Sequence, residues 1–64
     1  MKYEFSKGEI ISIEYLNRKK VKSEVWRFMN FNEHTKVLWL YSDNKSVTAI
    51  KEKYILKIES TNKN

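Results

Sequence analysis

Lys36-Val37-Leu38-Trp39-Leu40-Tyr41-Ser42-Asp43-Asn44-Lys45-Ser46-Val47-Thr48-Ala49-Ile50-Lys51 decides the fold. Leu38 and Leu40 alternate with Val37, Trp39 and Tyr41, so both faces of the first half are apolar, as in a central strand or one with an exposed aromatic face. Asp43-Asn44 predicts a tight reversal, because both tolerate the left-handed backbone that hairpin turns need. Ser46 to Lys51 then pairs back, with Val47 and Ala49 on one side and Thr48 and Ile50 on the other. A period of two across a short turn is the signature of a β-hairpin.

Working outward, Lys51 to Ile55 reads as one short helical turn, and Leu56 and Ile58 as a last short strand. Toward the N-terminus, Val21, Ser23 and Val25 alternate with Lys22 and Glu24. Trp26, Phe28 and Phe31 then break the phase, which predicts a bulge or sharp bend near Trp26 to Met29. Ile11, Ile13 and Tyr15 form an opening half-buried strand. Turns are expected at Asn17-Arg18-Lys19-Lys20 and at Asn32-Glu33-His34-Thr35, since Gly8 is the only glycine and proline is absent. Tyr3 and Phe5 suit either an extra strand packed on the core or an arm that pairs with a second copy.

These segments predict an all-β chain: a five-stranded SH3-like or Sm-like small barrel with one short helical turn before the last strand. Residues 1–60 form the single domain and residues 61–64 a frayed polar tail. The chain has 64 residues, no cysteine and one histidine. Neither a disulfide nor a structural zinc site of the usual Cys/His kind is available, and no metal or cofactor is expected. A domain this small buries only about 60% of its unfolded surface, so aromatic packing must carry stability.

Residues 10–59 resemble the YolD-like family of small bacterial and phage proteins, and less closely the WYL-type barrels. The resemblance rests on three stretches: Ile11-Ser12-Ile13-Glu14-Tyr15, then Phe28-Met29-Asn30-Phe31-Asn32 with Lys36-Val37-Leu38-Trp39-Leu40, then Ile50 and Ile55-Leu56-Lys57-Ile58. Trp26 and Arg27 stand where the family has a glycine before Phe28, and Asn32 replaces its aspartate. The resemblance implies a small barrel in a DNA-repair, regulatory, phage or mobile-element setting, and it assigns no binding residue.

The net charge is +5, with eleven lysines and two arginines. Such a balance suits nucleic acid or an acidic protein surface. Arg18, Lys19, Lys20 and Lys22 form a local cationic cluster, with Arg27 and Lys45 as neighbours. The cluster reads either as a phosphate grip or as a solvated hairpin that discourages edge pairing. Trp39 and Tyr41 read either as core or as an exposed face for stacking bases or anchoring a protein. His34 beside Glu33 and Thr35 reads as a solvated turn rather than a general base. No nucleophile elbow or phosphate-cradling glycine loop is present, so no enzymatic activity and no small-molecule substrate are expected.

Residues 1–16 contain no apolar leader core, and the longest apolar run, Val37 to Tyr41, is too short to span a bilayer. A cytoplasmic location without a membrane partner is therefore expected. The expected function is a non-enzymatic nucleic-acid-binding module. The alternatives are a protein-docking module, such as a phage- or mobile-element-encoded inhibitor of a host nucleic-acid-handling enzyme, and a subunit that dimerises through an edge strand or the N-terminal arm.

Overall fold

A computed structural model describes residues 3–61. Five strands follow in chain order: β1 (Ile10–Asn17), β2 (Lys20–Asn32), β3 (Val37–Tyr41), β4 (Val47–Lys51) and β5 (Ile55–Ser60), with a 3-10 turn (Glu52–Tyr54) before β5. They form one antiparallel sheet in the order β4-β3-β2-β1-β5. Successive strands are neighbours except β4 and β5, which occupy the two edges. A three-residue 3-10 turn joins those edges, so the sheet must curl to keep its ends within reach of so short a connection. No ladder joins β4 to β5 among the described residues, so the sheet is not closed. The five-stranded all-β plan with its short turn before the last strand is observed; the expected closure is not, since β4 and β5 stay at opposite edges with no hydrogen-bonded ladder between them.

β2 is the long strand that links the two halves. Its first part pairs with β1, from Lys20 to Arg27, and its second with β3, from Arg27 to Asn32. The register slips between Phe28 and Asn30, leaving Met29 as the extra residue. That bulge is the phase break expected from the sequence. In an unbroken strand Phe28 and Phe31 would point to opposite faces; the extra residue resets the alternation and turns both inward.

Ile11, Ile13, Phe28, Phe31, Leu38, Leu40 and Ile50 form the buried core. Cross-strand rows hold it together: Phe28 faces Leu40, Leu38 joins Phe31 to Ile50, and Ile13 meets Ile58. Each such side chain contributes about 1.5–3 kcal/mol when fully buried. Trp26 and Tyr15 pack partly against the same cluster.

Tyr3 and Phe5 precede β1 without joining the sheet. Tyr3 meets Phe31 edge-on, with ring centroids 4.8 Å apart, and Phe5 lies 5.6 Å from Phe28. The arm thus packs on the core and adds no strand. Gly8 anchors it: its N–H donates to the Phe28 carbonyl, and the Phe28 N–H donates to the Glu9 carbonyl, each at 2.8 Å. Gly8 has φ +91°, and a Cβ there would lie 3.3 Å from the Tyr41 hydroxyl. Backbone and neighbour both favour glycine.

The chain end also departs from expectation. Thr61 donates its backbone N–H and its hydroxyl to the Ile10 carbonyl, each at 3.1 Å, so this first residue of the expected frayed tail is tied to β1. The rest of that tail, 62–64, lies outside the described residues. Among the described residues no helix is long and apolar enough to cross a membrane.

Candidate nucleic-acid interface

Arg18 and Lys19 are the two central residues of the β1–β2 turn, with φ +51° and +69°. Two-residue hairpins favour this geometry because its twist matches the strands, but they normally use Asn or Gly there. Non-glycine residues pay a steric cost of about 1–2 kcal/mol in the left-handed region. Two cations therefore occupy strained positions, a pattern that recurs at ligand clamps.

The turn and the edge strand β4 border a common hollow. Between them lies an open groove of about 570 Å3, lined by Tyr15, Arg18, Lys19, Ala49, Lys51 and Tyr54 among others. No carboxylate lines it. A second groove of about 440 Å3 holds Lys36, Lys53 and Glu52 and shares Lys51 with the first. Lys51 thus connects two cationic hollows along one edge. Lys53 lies over the Tyr54 ring, its ammonium 5.3 Å from the centroid.

Hydrogen-bond parity fixes which backbone groups of β4 face this edge. Ser42 N–H donates to the Ser46 carbonyl and Glu52 N–H to the Lys36 carbonyl, each at 2.9 Å. Bonded pairs alternate along an antiparallel ladder, so Leu38–Ile50 and Leu40–Thr48 are also bonded pairs. Val47, Ala49 and Lys51 consequently direct their N–H and C=O groups away from β3, and Ala49 and Lys51 line the groove.

Tyr15 is oriented from behind. Its hydroxyl donates to Glu24 Oε1, which also accepts from Trp26 Nε1, both at 2.9 Å. Burial, then the hydrogen bond and negative charge of Glu24, push the Tyr15 phenol above its ordinary pKa, so it remains a donor.

The residues singled out from the sequence divide between two places. Arg18 and Lys19 line the groove. Lys20 and Lys22 are exposed on the adjoining hairpin, Lys22 directly across from Tyr15. Trp39 is 39% exposed and stands across from Ala49, one strand behind the groove. Arg27, Tyr41 and Lys45 lie toward the opposite end of β3. Arg27 Nε donates to Asp43 Oδ1 at 2.6 Å and Nη1 to the Gly8 carbonyl at 2.8 Å. Asp43 holds the Arg27 guanidinium pKa above its usual value. Tyr41 is half-buried across from Arg27.

In the β3–β4 turn, Lys45 has the positive φ, +70°, rather than Asp43 or Asn44. Asn44 Oδ1 accepts from the Ser42 hydroxyl and the Ser46 N–H, holding the turn by its side chain while Asp43 reaches Arg27. His34 sits in an exposed turn whose N–H groups, its own and that of Thr35, donate to Asn32 Oδ1.

Sequence reading did not single out Tyr15, Lys51 and Tyr54 for the groove. The available signal was the Lys51-Glu52-Lys53-Tyr54 run at the helical turn, where cations flank an aromatic. Among the described residues, the ion pairs engage Arg27 and Lys57, and Arg18, Lys19, Lys20, Lys22 and Lys51 meet no carboxylate.

No family model matches this chain, and no curated protein or solved structure matches it.

Proposed function

We propose that this chain is a non-enzymatic nucleic-acid-binding module that works through the cationic edge of β4. The observation that carries this reading is the groove in which Arg18, Lys19 and Lys51 meet Tyr15 and Tyr54 with no lining carboxylate. Unpaired cations attract phosphates and release counterions, while aromatic rings offer faces to bases. The sheet is taken as an SH3-like barrel left unpaired at its β4–β5 seam. The cellular setting is taken as the cytoplasm, in the DNA-repair, regulatory or phage context that the YolD-like and WYL-type resemblance implies. Binding without catalysis is favoured because no charged or polar residue among the described residues is fully buried, and the half-buried Tyr15 phenol is held as a donor to Glu24. Shifted acids and bases of catalytic sites usually need such burial.

Titration of a labelled oligonucleotide at several salt concentrations tests the reading. Binding is expected to weaken as salt rises, with a slope of log K against log salt near −2 if three phosphates are engaged on a single strand. Absence of binding at low salt would reject it.

A second reading, protein docking, is favoured by another surface. Leu16 and Val21 face each other on the outer side of the β1–β2 hairpin, and Val25 follows on the same side. Val21 and Val25 are more than 60% exposed. A docked acidic protein, such as a host nucleic-acid-handling enzyme, would cover them. A pull-down complex lost on Val21→Asp/Val25→Asp would support this reading, and one unaffected by that change would count against it.

A further inference from the structure

We propose that the groove between the β1–β2 turn and the free edge of β4 takes single-stranded nucleic acid in preference to duplex. In this arrangement a base stacks on the exposed Tyr54 ring, sharing it with Lys53, the half-buried Tyr15 closes the wall, and phosphates meet Arg18, Lys19 and Lys51. The inference rests on the nucleic-acid reading above and narrows its substrate class.

Several features select a single strand. The tyrosines line the hollow, and bases reach them only when unpaired and unstacked; a duplex offers its backbone to such a wall and keeps its base faces inside. The cations come from two sides, Arg18 and Lys19 from the turn and Lys51 from β4, so they flank a track rather than crown a bulge. The hairpin tip is itself one wall of the groove. The outward N–H and C=O of Ala49 and the outward N–H of Lys51 add polar groups beside that track, suited to the exposed edges of unpaired bases. A hollow of about 570 Å3 also falls within the range of sites that enclose small ligands, the scale of a nucleotide rather than of a double helix.

Fluorescence anisotropy with labelled oligothymidine and with a blunt duplex of equal length, both at low salt, tests the proposal. The variants are Tyr54→Ala, Tyr54→Phe and Lys51→Gln in the full chain, with circular dichroism to verify the fold. Tyr54 is 40% exposed and outside the buried core, so its replacement leaves the core intact. The single strand is expected to bind about tenfold or more tightly than the duplex, the scale of one stacked base. Tyr54→Ala is expected to weaken single-strand binding by about 5- to 150-fold, the range for one lost stack, and duplex binding by less. Tyr54→Phe should retain most of the affinity, since it keeps the ring. Lys51→Gln should reduce the salt slope by about 0.7 for the single strand. Equal affinity for the two probes, or a single-strand affinity indifferent to Tyr54→Ala, would overturn the proposal while leaving a general nucleic-acid function intact. Failure of both probes to bind at low salt would remove both.

Discussion

Around the N-terminal arm, Tyr3 and Phe5 lie on Phe31 and Phe28, and Arg27 is held by Asp43 and the Gly8 carbonyl. Around the β4 edge, Tyr15 and Tyr54 line an open groove, and Arg18, Lys19 and Lys51 have no acidic partner. Both regions combine aromatics with cations. In the first, every ring meets another ring and the guanidinium is neutralised, so the chemistry is spent on stability. In the second, Tyr15 is tied to the core and Glu24, but Tyr54 borders solvent and Arg18, Lys19 and Lys51 meet no carboxylate among the described residues, so that region gains less from its own composition. A side chain's partners, more than its type, separate structural from functional use.

The largest expected contrast is in folding. Phe28→Ala should destabilise the chain by about 3–5 kcal/mol. For a small domain with a net stability on the order of 5 kcal/mol, that loss approaches the whole. Near-UV circular dichroism should show a largely unfolded population. Tyr54→Ala should leave the denaturation midpoint close to that of the parent chain.

The turn gives the next contrast, with opposite signs in stability and binding. Arg18→Asn/Lys19→Gly places residues that tolerate left-handed backbone at φ +51° and +69°. Chemical denaturation should show a gain of about 1 kcal/mol, while oligonucleotide affinity falls. A loss of stability would mean that the two cations make contacts in the fold that offset their strain.

Arg27→Gln and Lys51→Gln remove the same charge from the two regions. Lys51→Gln should lower the salt slope of binding and leave the thermal midpoint nearly unchanged. Arg27→Gln should lower the thermal midpoint, through the lost Asp43 and Gly8 bonds, and leave the salt slope alone. Equal effects on both readouts would erase the distinction between the two regions.

The smallest effect concerns pH near the arm. Hydrogen bonds from Ser60 and from the Ser6 backbone hold the Glu9 carboxyl below the usual carboxylate range. A depressed folded-state value means that this contribution is complete above the ordinary carboxylate pKa and fades as pH falls through the folded value. Denaturation midpoints measured from neutral to acid should therefore drop, and Glu9→Gln should flatten part of that drop.

Much of the fold was legible because strand alternation is local. Ile11, Ile13, Leu38, Leu40 and Ile50 are buried as their period of two requires, and the spacing of Phe28 and Phe31 signalled the bulge at Met29. Turn conformation was less legible. The left-handed residue after β3 is Lys45, since the Asn44 side chain closes the loop and relieves Asp43 and Asn44 of that task. Sheet closure could not be read, because it depends on how a three-residue 3-10 turn aims β5. The groove was half legible for a related reason. Arg18 and Lys19 announced themselves as a run, whereas Lys51 and Tyr54 join them only through the curl of the sheet. Arg27 looked equivalent to its cationic neighbours until its partners on Asp43 and Gly8 were visible.

Amide chemical shifts of the isotope-labelled chain, followed during titration with oligothymidine at low salt, bear most directly on the β4 edge as the contact surface. Shifts are expected at Arg18, Lys19, Ala49, Lys51 and Tyr54, with a weaker response at Trp39 and none at Gly8, Arg27 or Asp43. A response centred on Arg27, Tyr41 and Lys45, with the β1–β2 turn silent, would contradict the assignment.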